Sequence, residues 1–271
     1  MVKRKTPLSS GPVKRKKSEE IRGLRKKSST GRVRDVSVVE ISDSDVSSSV
    51  QTSKAQLSDQ YKLCEFPPGG RGSVSVSFMD YKTLERDTYL NDIIIDFYLT
   101  YLLHTVLSPE EREHVHVFSA MFYKSLTLAR ANEEQGLSSS SQKMHSRVKR
   151  WTKNVNIFDK KLVIVPICQQ SHWYLIIIIK PGQIIFDAES RQNGEPLFLV
   201  LDSLESLGGK KSVKNLRLYV KQEWLAKNPG QPEVSFSKKK MKTVRPRKPE
   251  QENFTDCGIF LLHYVEKIFN K

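Results

Sequence analysis

No stretch of this chain approaches the ~18 consecutive apolar residues that a membrane-spanning helix needs. The opening Met1-Val2-Lys3-Arg4-Lys5 has no apolar run behind it to act as a secretory leader. Cysteine is sparse: Cys64, Cys168 and Cys257 are odd in number and far apart, with no C-x-x-C pair and no histidines beside them at zinc-ligand spacing. These absences argue against a membrane protein, a disulfide scaffold and a structural zinc site. The expectation is a soluble intracellular protein in a reducing compartment. Aromatic residues are missing from the first sixty positions, which are rich in Ser, Lys and Arg. Such a segment cannot bury enough apolar surface to offset its ordering entropy, so 1–60 is expected to be disordered.

The formal charge of +15 suggests nucleic-acid binding until it is divided along the chain. Residues 1–34 hold thirteen Lys and Arg against Glu19 and Glu20, so +11 of the total lies there. The basicity belongs to a tail, and nucleic acid is expected only as a non-specific polyanion on it. Lys3-Arg4-Lys5 and Lys14-Arg15-Lys16-Lys17 have the two-part layout of a nuclear import signal, which implies an import receptor and a nuclear location. One apolar island interrupts the tail: Val36-Ser37-Val38-Val39-Glu40-Ile41, followed by Ser42-Asp43-Ser44-Asp45. β-Branched residues favour extended backbone that can add a strand to a partner's sheet edge, and the acidic, phosphorylatable flank would meet a basic rim. Val38, Val39, Glu40 and Ile41 with this flank resemble a SUMO-interacting motif.

From Tyr61 to Lys271 the composition is that of a folded domain, and 38% hydrophobic residues overall suffice for an ordinary core. Asn91 reads as the N-cap of a helix over about 92–105, with Ile94, Phe97, Tyr98, Tyr101 and Leu102 at helical spacing. Polar residues 129–146, with four consecutive serines, read as a loop. Leu162–Ile167, Trp173–Ile179, Ile184–Phe186 and Leu197–Leu201 have strand length and apolarity, and are expected to be the central strands of one sheet. A helix is expected over 212–226, a loop over 227–250, and a buried helix from Cys257 to about Phe269.

Cys257 therefore sits where a polar turn, Gln251-Glu252-Asn253-Phe254-Thr255-Asp256, runs into a buried helix. The positive end of a helix dipole favours the thiolate there, and Gly258 is expected to let a substrate backbone approach. The ordinary alternative is a small buried hydrophobe. His172, at the mouth of an apolar strand in Gln170-Ser171-His172-Trp173-Tyr174, is the histidine best placed to serve as its base. Two aspartates end apolar strands downstream, Asp187 and Asp202, and either can orient an imidazole. Gln251 and Asn253 are both candidates for an oxyanion donor.

Together these residues resemble the sentrin-specific, or Ulp, protease family of SUMO-removing enzymes, over roughly 61–271. The resemblance implies a papain-like α+β cysteine protease fold of the adenain/Ulp type, with a central mixed sheet and a buried helix carrying the nucleophile. It assigns His172 as general base, Asp202 as its orienting partner, Gln251 as oxyanion donor and Cys257 as nucleophile, leaving Asp187 and Asn253 aside. It also implies that Tyr89 and Trp173 form an aromatic tunnel over the Gly-Gly tail of SUMO. Leu90–Leu99 and Trp151–Phe158 are most similar to the branch that edits poly-SUMO chains. The expected reaction is hydrolysis of isopeptide bonds in SUMO and poly-SUMO conjugates, without metal or cofactor. Because family members continue past the cysteine helix, the domain is expected to be shortened at Lys271. The alternatives are a protease for another ubiquitin-like modifier and a catalytically inactive SUMO-binding adaptor.

Overall fold

The computed structural model describes residues 59–70, 72–128, 139–186, 194–204, 208–231 and 234–271. The readings made for the basic tail, for Val38, Val39 and Ile41, and for Asp187 lie outside these residues. In chain order the elements are β1 (Lys62–Phe66), β2 (Val74–Ser77), α1 (Phe78–Lys82), α2 (Asp92–Thr105), α3 (Pro109–Glu113), β3 (Val115–Val117), α4 (Met121–Thr127) and α5 (Ser140–Val148). They are followed by β4 (Leu162–Gln169), β5 (His172–Ile179), β6 (Leu197–Leu201), α6 (Gly208–Lys227), β7 (Lys242–Val244) and α7 (Cys257–Phe269). β1 and β2 pair as an antiparallel hairpin, and the other five strands form one sheet in the order β3-β4-β5-β6-β7. Its inner pairs are antiparallel and its outer pairs parallel, so the sheet is mixed.

The uninterrupted apolarity of β4 and β5 follows from burial on both faces. Side chains alternate across a strand. Val163, Val165 and Ile167 of β4 and Tyr174, Ile176 and Ile178 of β5 join one core with α4, α5 and α6. Ile164, Trp173, Leu175 and Ile177 join a second core with α2 and α7. A strand covered on both sides has no position left for a polar residue except at its ends. That is where Gln169, His172 and Asp202 stand.

Several local expectations need correction. Residues 184–186 are not a strand: Pro181–Ile185 is a 3-10 helix, opened by a proline. Gly182 crosses the chain so closely that a Cβ there would lie 2.2 Å from the Phe158 carbonyl oxygen, an approach only glycine permits. The serine-rich stretch read as loop contains α5. Ser139 caps that helix in a reciprocal box with Gln142, and Met144 and Val148 bury its inner face. The basic 227–250 segment contributes the edge strand β7, which a sequence without alternating apolar residues does not announce. Asn91 does cap α2, its side-chain oxygen accepting from the Ile94 N–H at 3.0 Å.

Candidate active site

Three elements deliver the candidate site to one end of the sheet. β4 and β5 are joined by only Gln170 and Ser171, whose φ angles of 52° and 60° are both left-handed. Two such residues form the tight hairpin turn that matches strand twist. The turn makes His172 the first residue of β5, paired with Gln169. β6 is antiparallel to β5 and ends at Leu201, so Asp202 emerges beside the start of β5. His172 Nε2 lies 2.7 Å from Asp202 Oδ1, and Asp202, 2% exposed, also accepts from the Leu204 N–H at 3.2 Å. The Tyr174 ring stacks against the imidazole with centroids 5.9 Å apart.

α7 supplies the thiol from the opposite face of the sheet. Cys257 is the first residue of this helix, 1% exposed, with its sulfur 4.0 Å from the carbonyl oxygens of Ser171 and Thr255. The preceding turn is built by Asn253. Its Oδ1 accepts from the N–H groups of Thr255 and Asp256 at 3.1 and 3.0 Å, and its Nδ2 donates to Asp256 at 2.8 Å. That side chain is thus committed to shaping the turn. Asp256 stands at the N-cap position and makes no side-chain cap hydrogen bond.

The electrostatics of the thiol and the imidazole are reciprocal. Burial alone would push the Cys257 thiol up. It is outweighed by hydrogen bonds from His172 and from the N–H groups of Trp173 and Gly258, together with the His172 charge, and the thiol lies below its ordinary value. Burial likewise opposes a charged His172, yet its hydrogen bonds to Asp202 and Cys257 and the negative charge of both hold it up at about 9. These opposed shifts favour a thiolate and imidazolium pair. With Nε2 held by Asp202, the nitrogen left to act on sulfur is Nδ1, which is buried.

Gln251, buried, is fixed at both ends of its carboxamide. Its Oε1 accepts from the Ser203 hydroxyl, and its Nε2 donates to the Asn253 carbonyl at 2.7 Å. Its backbone N–H also donates to the Ser203 carbonyl at 3.3 Å. Ser203 was not singled out from the sequence. The available signal was its position next to Asp202 at the end of a buried strand.

Tyr89 and Trp173 line one cleft of about 630 Å³, together with Ser171, Cys168 and Lys124. They contribute unequally. Tyr89 is exposed, whereas Trp173 is buried with its indole N–H donating to the Leu90 carbonyl at 2.8 Å. That bond ties the segment before α2 to the start of β5. Gly258 is packed closely against the segment before α2. A Cβ on it would lie 3.0 Å from Leu90 Cβ and 3.1 Å from Leu90 Cγ, so the missing side chain lets Leu90 pack against the start of α7. Among the described residues no cluster of three or more His, Cys, Asp or Glu has the arrangement to hold a metal ion.

Comparison with known proteins places the fold in a family. Residues 88–271 match the family model of the Ulp1 protease family, C-terminal catalytic domain. Sentrin-specific protease 7 of Rattus norvegicus is 35% identical over 75% of this chain and 24% of its own length. The probable ubiquitin-like-specific protease 2A of Arabidopsis thaliana is 33% identical over 79% of this chain and 27% of its own. The chain thus spans about a quarter of the length of these curated relatives. A crystal structure of a de-sumoylating protease superposes with a TM-score of 0.61 at 24% identity, over 78% of this chain and 73% of that one, a likeness of fold. With a mixed sheet flanked by helices on both faces and a family match over residues 88–271, more than half of its length, the chain belongs to the Ulp1 protease family.

Proposed function

We propose that the chain hydrolyses the amide bond that follows the C-terminal glycine of a SUMO-class modifier, with Cys257 as nucleophile. The observation that carries the reading is the linked set Cys257, His172 and Asp202, with the thiol lowered and the imidazole raised. The Cys257 thiolate attacks the glycine carbonyl carbon, and the carbonyl π electrons move to oxygen. That oxyanion is met by the Gln251 carboxamide and by the backbone N–H of Cys257, which in the first helical turn has no intrahelical acceptor. Collapse expels the amine, protonated by the His172 imidazolium, and leaves a thioester. His172 then takes a proton from water as it attacks; collapse expels the Cys257 thiolate, which restores the ion pair, and the freed glycine acid releases its proton to solvent as a carboxylate.

Tyr89 and Trp173 support selection of a Gly-Gly tail, because a cleft walled by rings admits residues without side chains. The names of the relatives, sentrin-specific and ubiquitin-like-specific proteases, support the same substrate class. We extend the proposal to isopeptide bonds within poly-SUMO chains, engaged through Val38, Val39 and Ile41, and to nuclear import through the basic clusters at 3–5 and 14–17. The same proposal takes the catalytic domain to span 61–271.

A SUMO bearing a C-terminal electrophile tests the reading. Covalent labelling of the wild-type chain that disappears in Cys257→Ala is the expected result. Absence of labelling despite SUMO binding that needs Val38 and Ile41 would identify an inactive adaptor, and faster labelling by a ubiquitin electrophile would reassign the modifier.

A further inference from the structure

The two residues that leave β6 face two different members of the candidate site. Asp202 accepts from His172 at 2.7 Å. Ser203, equally buried at 2% exposure, donates its hydroxyl to Gln251 Oε1 and accepts the Gln251 backbone N–H with its carbonyl at 3.3 Å. A primary carboxamide can flip, exchanging an acceptor for two donors with little change in shape. Here both ends are specified. The Asn253 carbonyl can only accept, so it demands the amide nitrogen, and the Ser203 hydroxyl supplies the donor that the amide oxygen needs. One Nε2–H is thereby engaged, and exactly one remains uncommitted.

We propose that Ser203 is a positioning residue for the oxyanion donor, holding the Gln251 carboxamide in the one orientation that presents its remaining N–H to the reacting carbonyl oxygen. Asp202 and Ser203 then form one rigid dipeptide at the end of a buried strand that orients the base through one residue and the oxyanion donor through the next. A preorganised donor stabilises developing charge without reorganising at the moment of reaction, which is why its support shell matters. Without the Ser203 hydroxyl, Gln251 Oε1 loses its donor in a buried site and the carboxamide gains a competing orientation.

The inference rests on the role proposed for Gln251, and the test separates the two. Turnover of a SUMO C-terminal fluorogenic amide is measured for the full chain, its Ser203→Ala, Ser203→Thr and Gln251→Ala variants, and the Ser203→Ala/Gln251→Ala double variant. Alkylation of Cys257 by iodoacetamide is followed in parallel, because that displacement forms no oxyanion. Ser203→Ala is expected to lower kcat by about tenfold or more with KM unchanged, within the ~100–1000-fold that loss of a whole oxyanion donor costs. Alkylation should keep its wild-type rate, Ser203→Thr should recover turnover, and the double variant should be no slower than Gln251→Ala. Wild-type kcat in Ser203→Ala, a further loss in the double variant, or alkylation slowed in step with turnover each overturns the inference while Gln251 keeps its role. Wild-type turnover in Gln251→Ala removes both, and leaves Cys257 to be judged by the electrophile.

Discussion

At the scale of single residues, the shifts at Cys257 and His172 define a pH window. The thiol lies below its ordinary value and the imidazole is raised to about 9, so the ion pair exists between the two. Below the window the thiol takes up a proton. Above it His172 loses the proton that must reach the leaving amine. The rate of amide turnover against pH should therefore show its alkaline limb near 9, where an unperturbed histidine would place the change near 6.5. A limb near 6.5 would show that Asp202 does not hold the imidazole charged. Folding stability has the same sign. A raised histidine contributes stability that is complete below its unfolded value and is lost as pH rises through about 9. Cys168 supplies an internal contrast: although it is exposed, partial desolvation, assisted by the nearby Cys257 and Asp92 charges, pushes that thiol up.

At the scale of elements, the position of Cys257 depends on how closely α7 approaches the segment before α2. Gly258 lets the helix rest on Leu90, and the Leu90 carbonyl holds the Trp173 indole at 2.8 Å. Gly258→Ala forces Leu90 or the start of α7 to move by a few tenths of an ångström. Overpacking of this kind costs roughly 1–3 kcal/mol. The expected outcome is a lower urea midpoint together with slower turnover, because the displaced residue adjoins Cys257. Unchanged turnover in a destabilised variant would show that the first turn of α7 is held by other contacts. The β4–β5 turn has a complementary role. Two non-glycine residues in left-handed conformations are sterically costly, yet they place the Ser171 carbonyl 4.0 Å from the thiol and start β5 at the imidazole.

At the scale of the whole molecule, a sheet covered on both faces separates stability from chemistry. The cores occupy the middle of β4, β5 and β6, and the candidate site residues occupy one end. A tail that binds SUMO, joined to a domain that cleaves it, would raise the local concentration of chains over single conjugates. Deleting residues 1–50 should slow cleavage of tri-SUMO at sub-saturating concentration by about tenfold or more, while leaving a SUMO fluorogenic amide unaffected. Equal rates on tri-SUMO would remove the tether. The sequence by itself determined the long apolar strands, the cap at Asn91, the buried helix behind Cys257 and the placing of His172 and Asp202 at strand ends, because periodicity and capping are local. It also carried the Ser139 and Gln142 capping box of α5, obscured by a serine run that reads equally well as loop. Only the tertiary structure decided what lies across from what: β7 beside β6, Leu90 against Gly258, Trp173 bonded to a carbonyl eighty-three residues earlier, and Ser203 on Gln251. Such pairings join positions far apart in the chain, and their partners are chosen by how the two faces of one sheet are packed.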